Sequence, residues 1–179
     1  MERDCDMRSQ RLSYRPLEAA DASRIAALAG EWDIARMTSR IPHPYSLVDA
    51  DLWIASIGGD EFVRGVEHDG ELIGAVGYIE GEDGQAEIGY WIGKPWWGRG
   101  FATEAARTLM EHCFDAAGFR RLTCGHFIDN PASARVIAKL GFRRIGKGSQ
   151  WCEARQCDVG TIRYVRRRPL IATWRRRAA

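Results

Sequence analysis

Trp97-Gly98-Arg99-Gly100-Phe101-Ala102-Thr103-Glu104-Ala105 is a glycine-broken turn that leaves a strand-like run and opens a strongly helical segment. Glycines at 98 and 100 take away the side chains that would hold an anion off the backbone, so successive N–H groups can point at one phosphate. The helix behind them adds unpaired N–H groups and the positive end of its dipole. A pyrophosphate there gains hydrogen bonds and charge complementarity together. A glycine pair before a helix also serves as a plain tight turn, so the segments around it decide.

Downstream, Ala102, Ala106, Leu109, Met110, Cys113, Phe114 and Ala117 recur at helical spacing until Gly118, which places Cys113 in the core. Upstream, three strands are predicted at 61–67, 72–79 and 85–92, parted by His68-Asp69-Gly70 and Gly81-Glu82-Asp83-Gly84, turn compositions suited to antiparallel hairpins. A strand over 121–127 follows the helix. Asn130-Pro131 then reads as an N-cap with proline at the first helical position, and Gly141 as that helix's stop. Strands over 142–147 and 158–166 end the order. At the front, residues 11–17 alternate as a strand, 21–28 show helical spacing, Ile41 to Tyr45 is an extended proline loop, and Ser46 caps a helix over 47–57. Strands and helices in this order predict an α+β domain with a mixed, mostly antiparallel central sheet flanked by helices.

The 179 residues fit one domain. Residues 1–10 read as a flexible start, 11–168 as the domain and 169–179 as a basic tail. No apolar run is long enough to span a membrane, so a cytoplasmic protein without membrane association is expected. Five cysteines without close CxxC pairing suggest reduced thiols, with neither a disulfide framework nor a metal site. The net charge of +2 hides an asymmetry: residues 141–179 hold 11 Lys/Arg against 2 Asp/Glu, and the rest hold 15 against 22. The basic end runs through Arg163, Arg166, Arg167, Arg168, Arg175, Arg176 and Arg177 and suits either a solvated tail or an anionic partner.

Four segments in order resemble the GNAT superfamily of N-acetyltransferases, most closely its RimJ/RimL-type branch. They are Tyr14-Arg15-Pro16-Leu17 with Asp21; Ile41-Pro42-His43-Pro44-Tyr45-Ser46 with Asp49 and Ala50; Glu87-Ile88-Gly89-Tyr90-Trp91-Ile92 running into the glycine turn; and Asn130-Pro131-Ala132-Ser133 ending in Lys139-Leu140-Gly141-Phe142. The resemblance implies acetyl-CoA as cosubstrate and an amine as acceptor. The pyrophosphate loop would fall on Gly98, Arg99, Gly100, Phe101, Ala102 and Thr103, with Trp97 where the family usually has Gln or Arg. Two parallel strands would splay apart, and the pantetheine arm would pair with free backbone at Trp91, Ile92 and Gly93. Asn130 and Ser133 would lie across the gap, near the pantetheine and the sulfur.

Acyl transfer to an amine needs a neutral nucleophile, a donor for the oxyanion and a proton for the leaving thiolate. Glu87 is the candidate base, since alternation puts it with Gly89 and Trp91 on one face and in this family that strand borders the acceptor channel; an exposed strand glutamate in an ion pair is the other reading. A backbone N–H near Ile92 would hold the oxyanion. Many family members carry an acidic tyrosine seven residues after the motif asparagine; here that position is Ile137, which leaves Ser133, with Asn130 beside it, as the group to test. Trp32, His43, Tyr45 and His126 are the candidate acceptor residues, while His68 and His112 are expected in a turn and on a helix surface. A non-catalytic acyl-CoA-binding or regulatory module is the alternative to an enzyme. A homodimer contact through the last strands and a ribosome or nucleic-acid contact through the basic end stay open.

Overall fold

The structure, a computed structural model, describes residues 7–169. Its elements are β1 (Ser13–Arg15), α1 (Ala22–Ala29), α2 (Trp32–Ala35), α3 (Leu47–Ser56), β2 (Glu61–His68), β3 (Glu71–Glu80), β4 (Gln85–Ile92), α4 (Phe101–Asp115), β5 (Arg121–Phe127), α5 (Pro131–Lys139), β6 (Arg143–Cys152) and β7 (Cys157–Arg167). Local chemistry sets most of the boundaries. Asp69 and Gly70 both take positive φ, 53° and 80°, the geometry of a two-residue hairpin turn that matches strand twist. Ser46 accepts from the Asp49 amide at 3.2 Å while the Asp49 carboxylate accepts from the Ser46 amide at 2.8 Å, a capping box that starts α3.

The seven strands form one sheet in the order β1-β2-β3-β4-β5-β7-β6. Every neighbouring pair is antiparallel except β4 and β5. The glycine-rich β3 is buried along most of its length, and α4 and α5 pack over one face of the sheet through Phe101, Leu109, Cys113, Phe114, Ile137 and Leu140. The other face is covered in part: α1 and α3 bury Ile25, Ala29 and Ala50 against Leu72 and Trp91. A third cluster joins Ala35 of α2 to Phe127, Cys152 and Val159. There Arg155 holds the β6–β7 turn in place, with Nε on the Arg36 carbonyl at 2.6 Å and Nη1 on Asp129 at 2.8 Å.

Three expectations need correction. Residues 7–10 are not a flexible start, because Met7 is buried in the main core and Ser9 Oγ donates to Glu104 at 2.7 Å; residues 1–6 and 170–179 lie outside the described part. His112 is not on a helix surface but buried, stacked on Phe62 with ring centroids 5.0 Å apart. The strand expected over 142–147 runs to Cys152, exposed along nearly all of its length because it is the sheet's outermost strand. Edge exposure removes the alternation that would have revealed it.

Candidate functional site

Strands β4 and β5 pair only over Gln85–Glu87 and Arg121–Thr123. Beyond that point β4 continues along β3 and β5 along β7, so the two strands diverge and leave a wedge between their facing edges. The amide of Gly93 donates to Ile73 at 2.7 Å, and a Cβ on Gly74 would strike the Trp91 carbonyl at 2.3 Å, so the odd-numbered residues of this stretch spend their backbone on β3. Pleating then turns the amides and carbonyls of Ile88, Tyr90 and Ile92 into the wedge. This corrects the expected set: of Trp91, Ile92 and Gly93, only Ile92 presents backbone to the gap. Its carbonyl already accepts from the Trp97 indole at 2.6 Å.

At the wide end lies the glycine turn. Gly98 and Gly100 have φ of 77° and 83°, a left-handed conformation that costs other residues about 1 kcal/mol or more. A Cβ at Gly98 would meet nothing within 4 Å, so the backbone there borders open space. No side chain caps the fifteen-residue α4, which leaves its first amides, at Phe101, Ala102 and Thr103, available to an anion. Phe101, nearly fully buried, is the floor of this turn. Over its ring lie the guanidinium of Arg11 at 4.5 Å, that of Arg99 at 4.8 Å and the His68 ring at 4.5 Å. Arg11 is fixed by Glu104, to which its amide and Nε each donate at 2.8 Å, and it also donates to the Arg99 carbonyl at 3.0 Å. His68, expected as a turn residue, thus packs against the loop. The result is a cationic cradle with free amides, which fits a pyrophosphate.

Across the wedge, Asn130 caps α5 by accepting from the Ser133 amide at 3.0 Å. Ser133 Oγ lies 3.0 Å from the Tyr90 hydroxyl, a contact that bridges β4 and α5. Sequence reasoning missed Tyr90. The signal was available, since Tyr90 shares the Ile88 face of β4 and the family's hydroxyl at 137 is absent. Ile137 itself is 1% exposed and packs into the core. Burial raises the Tyr90 pKa above that of an ordinary tyrosine, and the hydroxyl stays protonated at neutral pH.

Residues 11–143 match the family model of the acetyltransferase (GNAT) domain. The chain belongs to the GNAT family. The uncharacterized N-acetyltransferase p20 of Bacillus licheniformis is 28% identical over 172 residues, covering 89% of this chain and 95% of that protein. The ribosomal-protein-serine acetyltransferase of Escherichia coli is 35% identical over 74 residues, or 40% of this chain and 41% of that protein. Among solved structures, the microcin C7 self-immunity acetyltransferase MccE in complex with acetyl-CoA and AMP superposes with a TM-score of 0.78 at 16% identity, over 89% of this chain and 93% of that one. As a GNAT acetyltransferase the chain is an acetyl-CoA-dependent N-acetyltransferase.

Glu87 sits at the vertex of the wedge, opposite Thr123, on the sheet face away from α4 and α5. Its carboxylate is half exposed and lies 3.7 Å from Arg163. On the same face Trp32 and His43 are edge to face at 5.1 Å, and His43 Nδ1 contacts the Gly30 carbonyl at 3.0 Å. Tyr45 is beside them, its hydroxyl pushed up to about 12 by burial. Lys94 ties α2 to the exit of β4 through Asp33 at 2.7 Å, which sets Trp32 near the mouth of the wedge.

His126 does not join this group. Alternation puts it with Leu122 and Cys124 on the α5 side, where it is buried, with Nδ1 2.7 Å from the Phe127 carbonyl and Nε2 3.1 Å from the Tyr164 hydroxyl. The thiol of Cys124 is pushed up to about 12, by burial first and by the Glu87 charge second. Burial alone moves that of Cys113 to about 12. Neither thiol ionises at neutral pH. Among the described residues no group of His, Cys, Asp or Glu is arranged to hold a metal, and no helix is long and apolar enough to cross a membrane.

Proposed function

We propose that the acceptor is a primary amine, on a protein amino terminus or a small molecule, and that it attacks directly, with no acyl group carried on the protein. The observation that carries this reading is the wedge, with free β4 backbone on one side, a paired hydroxyl on the other and a carboxylate at its vertex. Acetyl-CoA supplies a thioester carbonyl open to attack by an amine. Gly98 to Thr103 would hold its pyrophosphate through backbone amides, while Arg11 and Arg99 add charge. The gap-facing backbone of Tyr90 and Ile92 would pair with its amide-bearing arm.

An amino terminus has a pKa of about 8 and is mostly charged at neutral pH. Glu87, exposed on the acceptor side, takes the proton that the attacking nitrogen must lose, directly or through water. The amide of Ile92, turned into the wedge, is the donor for charge developing on the acetyl oxygen. Ser133 gives the departing sulfur its proton and draws on the Tyr90 hydroxyl behind it. The buried, protonated state of Cys113 and Cys124 supports direct transfer over a thioester on the protein. The name of the Escherichia coli relative, a ribosomal-protein-serine acetyltransferase, supports counting protein amino termini among the acceptors.

The test is thiol release from acetyl-CoA across a panel of amino-terminal peptides, polyamines and aminoglycosides, with mass spectrometry of the product. A mass gain of one acetyl group at the amine, without a burst of free thiol equal to the enzyme, is the expected result. Absence of turnover on every amine would favour a binding module instead.

A further inference from the structure

We infer that the sheet face around Glu87 is a docking surface for an acidic polypeptide, which lies along it while its amino terminus enters the wedge. The inference rests on the amine-acceptor reading above and narrows its substrate class. Helices α1 and α3 cover this face over β3 and the end of β4, and α2 meets it at Phe127. Among the described residues, the remainder, formed by β5, β7 and β6, carries no helix.

Register puts the arginines together. Gln85 is opposite Arg121 and Arg121 opposite Arg167; Glu87 is opposite Thr123, Thr123 opposite Val165 and Val165 opposite Arg143; Gly125 is opposite Arg163. Paired residues share a face, so Arg121, Arg143, Arg163 and Arg167 all project from this one, and all four are exposed. Among the described residues only one carboxylate meets them, Glu87, at 3.7 Å from Arg163. Arg121 spends one N–H on the neutral Gln85 side chain. Four guanidiniums against one carboxylate repel one another in the free protein, and a bound partner of opposite charge relieves that repulsion.

The occupant follows from charge, shape and position. Strands stand about 4.8 Å apart and rise about 3.3 Å per residue, so the four arginines cover roughly 10 by 13 Å, the length of about four extended residues. The patch begins at Glu87, beside the wedge. Carboxylates within the first few residues after an amino terminus would therefore meet guanidiniums while the amine reaches the vertex. The chain's own segment 170–179 holds Arg175, Arg176 and Arg177 and no acidic residue, so it has the wrong charge to fill the role. RNA fits less well, because Thr123, Gly125 and Val165, the residues between the arginines, offer no aromatic ring for a base to stack on.

The experiment compares peptides with the same amino-terminal residue followed by four glutamates, four glutamines or four arginines, labelled at the carboxyl end and titrated with protein by fluorescence anisotropy. At about 50 mM salt the glutamate peptide is expected to bind about tenfold more tightly than the glutamine one, with the margin shrinking at about 300 mM. The double variant Arg143→Gln/Arg167→Gln should lose the margin and keep its turnover of the glutamine peptide. Equal binding of the glutamate and glutamine peptides would overturn the inference. So would tighter binding of a single-stranded RNA of the same charge. Acetyl transfer to these peptides is read separately: a binding margin without transfer leaves the surface standing and removes peptides from the acceptors.

Discussion

The Tyr90 hydroxyl lies 3.0 Å from Ser133 Oγ, across the opening between β4 and α5. One partner comes from the strand on one side of the wedge and the other from the helix across it. Two hydroxyls in contact can pass a proton without either becoming charged for long, and burial keeps the phenol protonated. The pair brings a β4 hydroxyl to the start of α5.

Tyr90→Phe is therefore expected to lower kcat by about tenfold to a hundredfold while the KM for acetyl-CoA moves less than about twofold, the pattern of a group needed after binding. Ser133→Ala should cost a similar factor, and the double variant little more than either alone. Because the Tyr90 pKa is raised, the wild-type rate should show no fall from phenol ionisation below about pH 10. Additive losses in steady-state kinetics would separate the two hydroxyls and end the relay.

Gly98 gives a cleaner test of the cradle than Gly100. Both have left-handed backbone, but a Cβ at Gly100 lies 3.5 Å from the Arg11 guanidinium, and one at Gly98 touches nothing. Gly98→Ala should cost about 1 kcal/mol in stability from its φ, and should also put a methyl group where the anion approaches the amides. Titration calorimetry should show acetyl-CoA binding weakened by about tenfold or more. Unchanged affinity would move the pyrophosphate elsewhere.

Away from the site, Arg15 clamps the start of the fold. It donates to both oxygens of Asp21 at 2.7 and 2.8 Å and to Glu67 at 2.7 Å, joining β1, β2 and the entry to α1. The Arg15 hydrogen bonds hold the Asp21 carboxyl below the usual aspartate range, although burial opposes them. A carboxyl lowered in the folded state stabilises fully above its unfolded pKa of about 3.9, and that contribution disappears as pH falls through the folded value. Asp21→Ala should cost about 2 kcal/mol at pH 7. The gap in Tm between it and the wild type should narrow in melts taken below about pH 4. A gap constant from pH 7 to pH 2.5 would mean that packing, not charge, is what Asp21 supplies.

How far the sequence went depended on whether the signal was local. The helix from Phe101, its stop at Gly118 and the Asn130-Pro131 start of α5 all follow from spacing, cap and turn chemistry acting within a few residues. The four-residue α2 is barely one turn, too short for helical spacing to repeat, and β6 lies at an edge where neither face is buried. Glu87, Asn130 and Ser133 were legible as candidates through the family motifs. Alternation along β4 gives Tyr90 its face, but its contact with Ser133, 43 positions away, comes only from the fold. His126 ends its strand near the wedge, yet its side chain faces Tyr164. Which backbone groups enter the wedge was also hidden, because parity is set by the bond from Gly93 to Ile73 rather than by any residue type.

In the proposed reaction Glu87 carries the heaviest chemical demand. It is half exposed, so water reaches it, and its carboxylate lies 3.7 Å from Arg163. Glu87→Gln keeps the shape of the side chain and removes the proton acceptor. The kcat at pH 7 should fall by about a hundredfold, and the loss should shrink as pH rises toward 9.5, where more of the amine is neutral without help. Acetyl-CoA affinity should hold, since the side chain faces away from the cradle. A variant that turns over at the wild-type rate at pH 7 would return Glu87 to the role of a surface ion pair and leave water as the proton acceptor.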